Sequence, residues 1–158
     1  MDLNRLVKWL VICGVLIWTG LLVNFAFPSV ESRQKAQIEK DYVKTSAEHL
    51  LKGEWLEAQK VICEGLTHSP RCANLYFNLG LSYYLSGNYN QAKTTFRTLS
   101  AIAPYYPDVH YLLGLIYRAE GNFTEAKAEF IRELNLNPGN PRAWKEIREA
   151  DEGNKKSI

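Results

Sequence analysis

Three residue types hold one register along this chain at a period of 34 residues. Glycines stand at Gly53, Gly87 and Gly121, alanines at Ala58, Ala92 and Ala126, and prolines at Pro70, Pro104 and Pro138. A repeat of this length is one supersecondary unit, too small to bury its own apolar face. The copies must therefore stack on one another, and a single undivided core is excluded. They occupy 39–72, 73–106 and 107–140.

Each unit reads as two helices. Leu75, Leu79 and Tyr83 recur at four-residue intervals, as do Tyr111 with Leu115 and Leu113 with Tyr117, which is helical spacing. Gly87 and Gly121 suit the left-handed position that closes a helix. Asn88 and Asn122 are the expected N-caps of the next helices, and Asn122 with Glu125 makes a capping-box-like pair. The second helices carry Ala92, Phe96 and Leu99, or Ala126, Phe130 and Leu134, and end before Pro104 and Pro138. Pro107 and Pro141 stand as first-turn prolines of the following helices. Small residues at Ser46, Gly80 and Gly114 face the small Ala58, Ala92 and Ala126, while Tyr83, Phe96, Tyr117 and Phe130 fill the space between. Residues 141–152 begin a fourth unit, with Trp144 and Ile147 in place, but Arg148 falls where a small residue is needed. This predicts a capping helix over 141–152 and a tail over 153–158.

These residues resemble the tetratricopeptide repeat. The resemblance rests on Leu79-Gly80, Tyr83, Gly87-Asn88-Tyr89, Ala92, Phe96 and Pro104 in the second unit. The third unit repeats it in Leu113-Gly114, Tyr117, Gly121-Asn122-Phe123, Ala126, Phe130 and Pro138. The first unit departs at Thr45, His49 and Ile62 but keeps Gly53, Trp55, Ala58 and Pro70. The resemblance implies an all-α solenoid of three helical hairpins with a capping helix, and a non-enzymatic protein–protein interaction module. In that family the first helix of each unit lines a concave face that binds partners. Carried over by position, the groove is Phe77, Asn78, Leu81, Tyr84, Tyr111 and Leu115, with Arg118 as a lone cation. A carboxylate clamp of the family's type needs several Lys, Arg and Asn, and only Asn78 fits, whereas Val43, Ala47 and Asp108 do not. The groove then suits an apolar or amphipathic partner segment. The competing reading is that the same side chains pack against each other, the capping helix or a second copy of the chain.

Ahead of the repeats, a polar tail over 1–8 leads into residues 9–27, which carry no charge and only Thr19 and Asn24 among strongly polar residues. Nineteen helical residues span about 30 Å, the hydrocarbon thickness of a bilayer. The run exceeds the apolar core of a cleaved signal peptide, and no small-x-small cleavage site follows it, so an uncleaved single-pass anchor is expected. A helical stalk is expected over 28–38. Arg5 and Lys8 before the span face Arg33, Lys35 and Lys40 after it. The leading flank, uniformly basic apart from Asp2, favours a cytoplasmic N-terminus and repeats on the extracytoplasmic, periplasmic side.

Other chemistry finds little support. A net charge of +2 with no Lys/Arg run beyond Lys155-Lys156 argues against nucleic acid. Cys63 and Cys72 are candidates for a disulfide if the domain faces an oxidising space, with two free thiols as the alternative. No metal pattern is expected from Cys63, His68 and Cys72, and no cofactor. His49, His68 and His110 have no partner at catalytic spacing, His49 is read as a packing residue, and Glu and Asp residues are placed mainly on helix exteriors. Two functions remain: a membrane-tethered scaffold or assembly factor for an envelope complex, or a permanent structural subunit of one.

Overall fold

The computed structural model describes residues 29–155, with side chains over 29–149. The apolar run 9–27 lies outside the described residues. Among the described residues no helix is long and apolar enough to cross a membrane. The chain divides between Ile38 and Glu39, and the unit from Glu39 onward is described by itself.

Seven helices make up the described chain: α1 (Val30–Lys52), α2 (Trp55–His68), α3 (Ala73–Leu85), α4 (Tyr89–Ile102), α5 (Val109–Ala119), α6 (Phe123–Leu136) and α7 (Pro141–Lys155). Helices α3/α4 and α5/α6 pair, α7 packs on α6, and α1 meets α2 through Tyr42, which stacks on His68 and lies against Gly65. Each hairpin turn is closed by a glycine at φ +77 to +79. The Gly87 amide donates to the Tyr84 carbonyl at 3.1 Å and the Asn88 amide to the Tyr83 carbonyl at 2.8 Å. Gly121 and Asn122 repeat this pair of bonds on Arg118 and Tyr117, and Gly53 and Glu54 on Leu50 and His49. This is the Schellman closure, which satisfies the last carbonyls of a helix and needs a left-handed residue.

Within a hairpin the helices meet at a glycine. A Cβ on Gly80 would lie within 3.0 Å of the Phe96 ring, and one on Gly114 within 3.0 Å of the Phe130 ring. Phe96 and Phe130 are correspondingly buried, together with Ala92 and Ala126 across the same seam. One core cluster joins units two and three through Phe96, Leu99, Val109, Leu112, Leu113 and Ile116. A second gathers Leu50, Ala58, Ile62, Cys72 and Leu75 between units one and two.

Several local details depart from the sequence reading. Asn88 and Asn122 occupy N-cap positions, yet neither side chain caps; Asn88 instead donates Nδ2 to Ser86 Oγ at 3.1 Å. The expected capping box is therefore not formed. Pro141 opens α7, but α5 starts at Val109, leaving Pro107 outside the helix, because Asp108 takes a left-handed φ of 63. The capping helix runs past 152 to Lys155. Trp144 is half exposed, its indole N–H donating to the Pro138 carbonyl at 2.9 Å, and Ala143 fills the buried position beside it. His49 is only partly buried and pairs with Glu54 at 2.6 Å. Two carboxylates are not on the exterior at all: Glu129 and Glu133 are buried.

The glycine seam predicts a coupled pair of substitutions. Gly80→Ala should destabilise the fold by about 1–3 kcal/mol through overpacking against Phe96, read by urea denaturation. Adding Phe96→Leu should cost less in that background than alone, because the two side chains compete for one volume.

Candidate partner-binding groove

The groove residues expected from sequence come from two helices. Phe77, Asn78, Leu81 and Tyr84 lie on α3, and Tyr111, Leu115 and Arg118 on α5. Phe77, Leu81, Tyr84, Tyr111 and Leu115 are all part-buried: each packs by one face and leaves another open. Phe77 touches the Phe96 and Tyr106 rings at 6.2 and 5.2 Å between centroids, Tyr84 the Tyr89 ring at 5.9 Å, and Tyr111 the Phe130 ring at 5.8 Å. Each aromatic is thus fixed from behind by its own unit, a rigid presentation suited to recognition.

Two of the expected residues play different parts. Asn78 is buried, and its Nδ2 donates to Ser46 Oγ at 2.8 Å and to the Val43 carbonyl at 3.2 Å. It ties α3 to α1 rather than facing a ligand. Arg118 is not a lone cation, since it pairs with Glu146 of α7. The capping helix also supplies Arg142, which pairs with Asp108 and lies 4.7 Å over the Tyr111 ring. Sequence position alone did not give Arg142 or Glu146 a place in the groove, because their partners lie 34 and 28 residues away.

Tyr84 and Tyr111 belong to one electrostatic neighbourhood. Burial pushes the Tyr84 phenol above its ordinary value; Tyr89 and Glu146 add to this and Arg118 opposes it. Burial likewise raises Tyr111, with Glu146 adding and Arg142 and Arg118 opposing. The groove end formed by α3, α5 and α7 is therefore aromatic, partly desolvated and edged by paired charges.

The other candidates lie apart from it. Cys63 is exposed on α2 and Cys72 is buried at the start of α3, so the bridge weighed from sequence is not formed and both thiols are free. His68 stacks on Tyr42 at 5.6 Å. Among the described residues no group of three or more His, Cys, Asp or Glu is placed to hold a metal ion.

Comparison with known proteins gives the same architecture. Residues 83–149 match the family model described as tetratricopeptide repeat. No curated protein matches the sequence. Among solved structures, the second TPR domain of human RPAP3, in complex with the HSP70 peptide SGPTIEEVD, superposes with a TM-score of 0.65 at 23% identity, covering 75% of this chain and 97% of that one. The Yersinia enterocolitica type III secretion translocator chaperone SycD does so at 0.71 and 14%, covering 77% and 96%. PcrH, in complex with the chaperone binding region of PopB, does so at 0.61 and 15%, covering 78% and 94%.

The raised phenols set a pH dependence. The folded state holds these protons above the unfolded tyrosine value of about 10, so their contribution to stability is complete below that pH and is lost as pH rises through the folded values. Spectrophotometric titration should show late-ionising phenols, fewer of them in Tyr84→Phe and Tyr111→Phe. Residues 83–149 thus match the tetratricopeptide-repeat family model, and the chain from Glu39 onward has the helical-hairpin fold of tetratricopeptide-repeat domains.

Proposed function

We propose that this chain is a membrane-anchored docking module that holds an apolar or amphipathic segment of a partner protein against α3 and α5, as a scaffold or assembly factor of an envelope complex. The observation that carries this reading is the run of five part-buried apolar side chains, Phe77, Leu81, Tyr84, Tyr111 and Leu115, on the first helices of adjacent units. Apolar surface of this kind, braced from behind and open in front, gains free energy when a partner covers it. An amphipathic helix offers the matching stripe.

The polar groups support an apolar occupant over a carboxylate terminus. Asn78, the one residue that matched a carboxylate clamp, spends its amide on Ser46 and Val43. The Arg118 and Arg142 guanidiniums are engaged by Glu146 and Asp108. PcrH and the RPAP3 domain, which share the fold, are each seen with a bound partner segment, and this chain's groove differs from a clamp in being aromatic. On this reading the uncharged run 9–27 is the anchor, and the mainly basic flank before it supports an extracytoplasmic side for the repeats.

Four outcomes check this reading. Tyr84→Ala with Tyr111→Ala should release co-purifying protein from the full chain in detergent while helix content is kept; partners retained by the double variant contradict the groove. A partner that stays stoichiometric through high salt identifies a permanent subunit instead of a transient client. The peptide SGPTIEEVD should bind no better than its scrambled sequence, measured by fluorescence anisotropy. Cys63, with its exposed thiol, should react in intact cells with a membrane-impermeant maleimide; labelling only after the cytoplasm is opened reverses the orientation.

A further inference from the structure

A cleft of about 360 Å³ opens between α4, α5 and α6, away from the groove residues, and its walls are charged. Arg97 comes from α4, His110 and Tyr117 from α5, and Glu125, Glu129 and Arg132 from α6. The repeat itself does not require this chemistry. The same positions one unit earlier are Cys63, Tyr76, Tyr83, Gln91, Thr95 and Thr98, none of which carries a charge at neutral pH. Five charged or titratable side chains have replaced neutral ones in one inter-unit cleft, in a fold that would stack without them.

These side chains are also braced. Glu129 is buried, and its two oxygens are taken by His110 Nδ1 at 2.7 Å and by Arg132. Arg132 is held by that contact while its side chain as a whole stays exposed. Arg97 donates to the Tyr117 hydroxyl, whose ring also carries Lys93, itself paired with Glu120. A guanidinium has five N–H donors, so both arginines retain donors beyond these bonds. Glu125 lies on the same face of α6 as Arg132, two turns and roughly 10 Å along the axis.

We propose that this cleft binds a small zwitterion of the amino-acid or dipeptide class, its carboxylate taken by Arg97 and Arg132 and its ammonium by Glu125. The charge count selects this class. Glu129 already neutralises one cation, and Glu125 faces the same space, so a dianion would meet an uncompensated carboxylate. A zwitterion places one charge against each end. Bidentate guanidinium–carboxylate pairing gives the geometric preference for a carboxylate, and the volume lies in the usual range for a small-molecule site.

The test is a titration of the full chain in detergent, followed by NMR of the His110 and Tyr117 ring protons. Glycylglycine should give saturable shifts, with weaker binding for N-acetylglycine, which lacks the ammonium, and for succinate, a dianion. Arg97→Gln with Arg132→Thr should raise the apparent Kd at least tenfold. Arg97→Gln alone, which leaves the Arg132–Glu129 brace in place, should raise it severalfold with unchanged circular dichroism. Glu125→Gln should abolish the preference for glycylglycine over N-acetylglycine. Tyr84→Ala should leave glycylglycine binding unchanged, separating this cleft from the partner groove. Absence of saturable shifts, equal binding in the arginine variants, or tighter binding of succinate each overturns the proposal.

Discussion

The stack depends on the contact between a glycine on one helix and a phenylalanine on the other. Gly80 against Phe96 and Gly114 against Phe130 set how closely each hairpin closes. That closeness decides where the next unit can sit. With a side chain at either glycine the ring must leave its place, and the cluster that joins units two and three through Leu99, Val109 and Ile116 loses its floor. The open faces of Phe77 and Tyr111 follow from the same contact, since the Phe96 and Phe130 rings that fit over Gly80 and Gly114 also back Phe77 and Tyr111.

The unit interfaces are not equivalent. Between units two and three the seam is apolar, with Leu112 and Ile116 buried. At the same repeat positions between units one and two stand Asn78 and Ser82. There Asn78 bonds to Ser46 and Val43, while Gln59 donates to Ser82 and Ser82 to the Trp55 carbonyl. Buried hydrogen bonds add about 1 kcal/mol each when made and cost more when one partner is lost. These bonds specify register beside the apolar cluster of Leu50, Ile62 and Leu75 at the same interface. At the other end Asn140 does similar work, donating to Asp108 and to the buried Glu133 and accepting from the Arg142 amide at the start of α7.

What the sequence made legible was the periodic part. The glycines that close hairpins, the small residues at helix seams and the bulky residues opposite them all recur at one spacing, and each has a local reason that a single chain displays. The aromatics of α3 and α5 were placed on those helices by the same spacing. What escaped was every role set by a partner in another unit. Asn78 looked like a ligand-facing amide because Ser46 lies 32 residues away. Arg118 looked free because Glu146 is 28 residues away. The burial of Glu129 and Glu133 was not legible, because His110 and Asn140, which bond to them, belong to other elements. Asn88 and Asn122 failed as side-chain caps for a local reason: with ψ at 64 and 71 their backbones are not in the extended conformation a side-chain cap uses.

Site-specific photocrosslinking in native membranes addresses the docking account most directly. A photoreactive residue at Phe77 or Leu115 lies in the groove, whereas one at Leu56, an exposed position on α2, lies outside it. The account predicts one discrete protein adduct from both groove positions and none from position 56. An adduct from position 56 with none from 77 or 115 would contradict it.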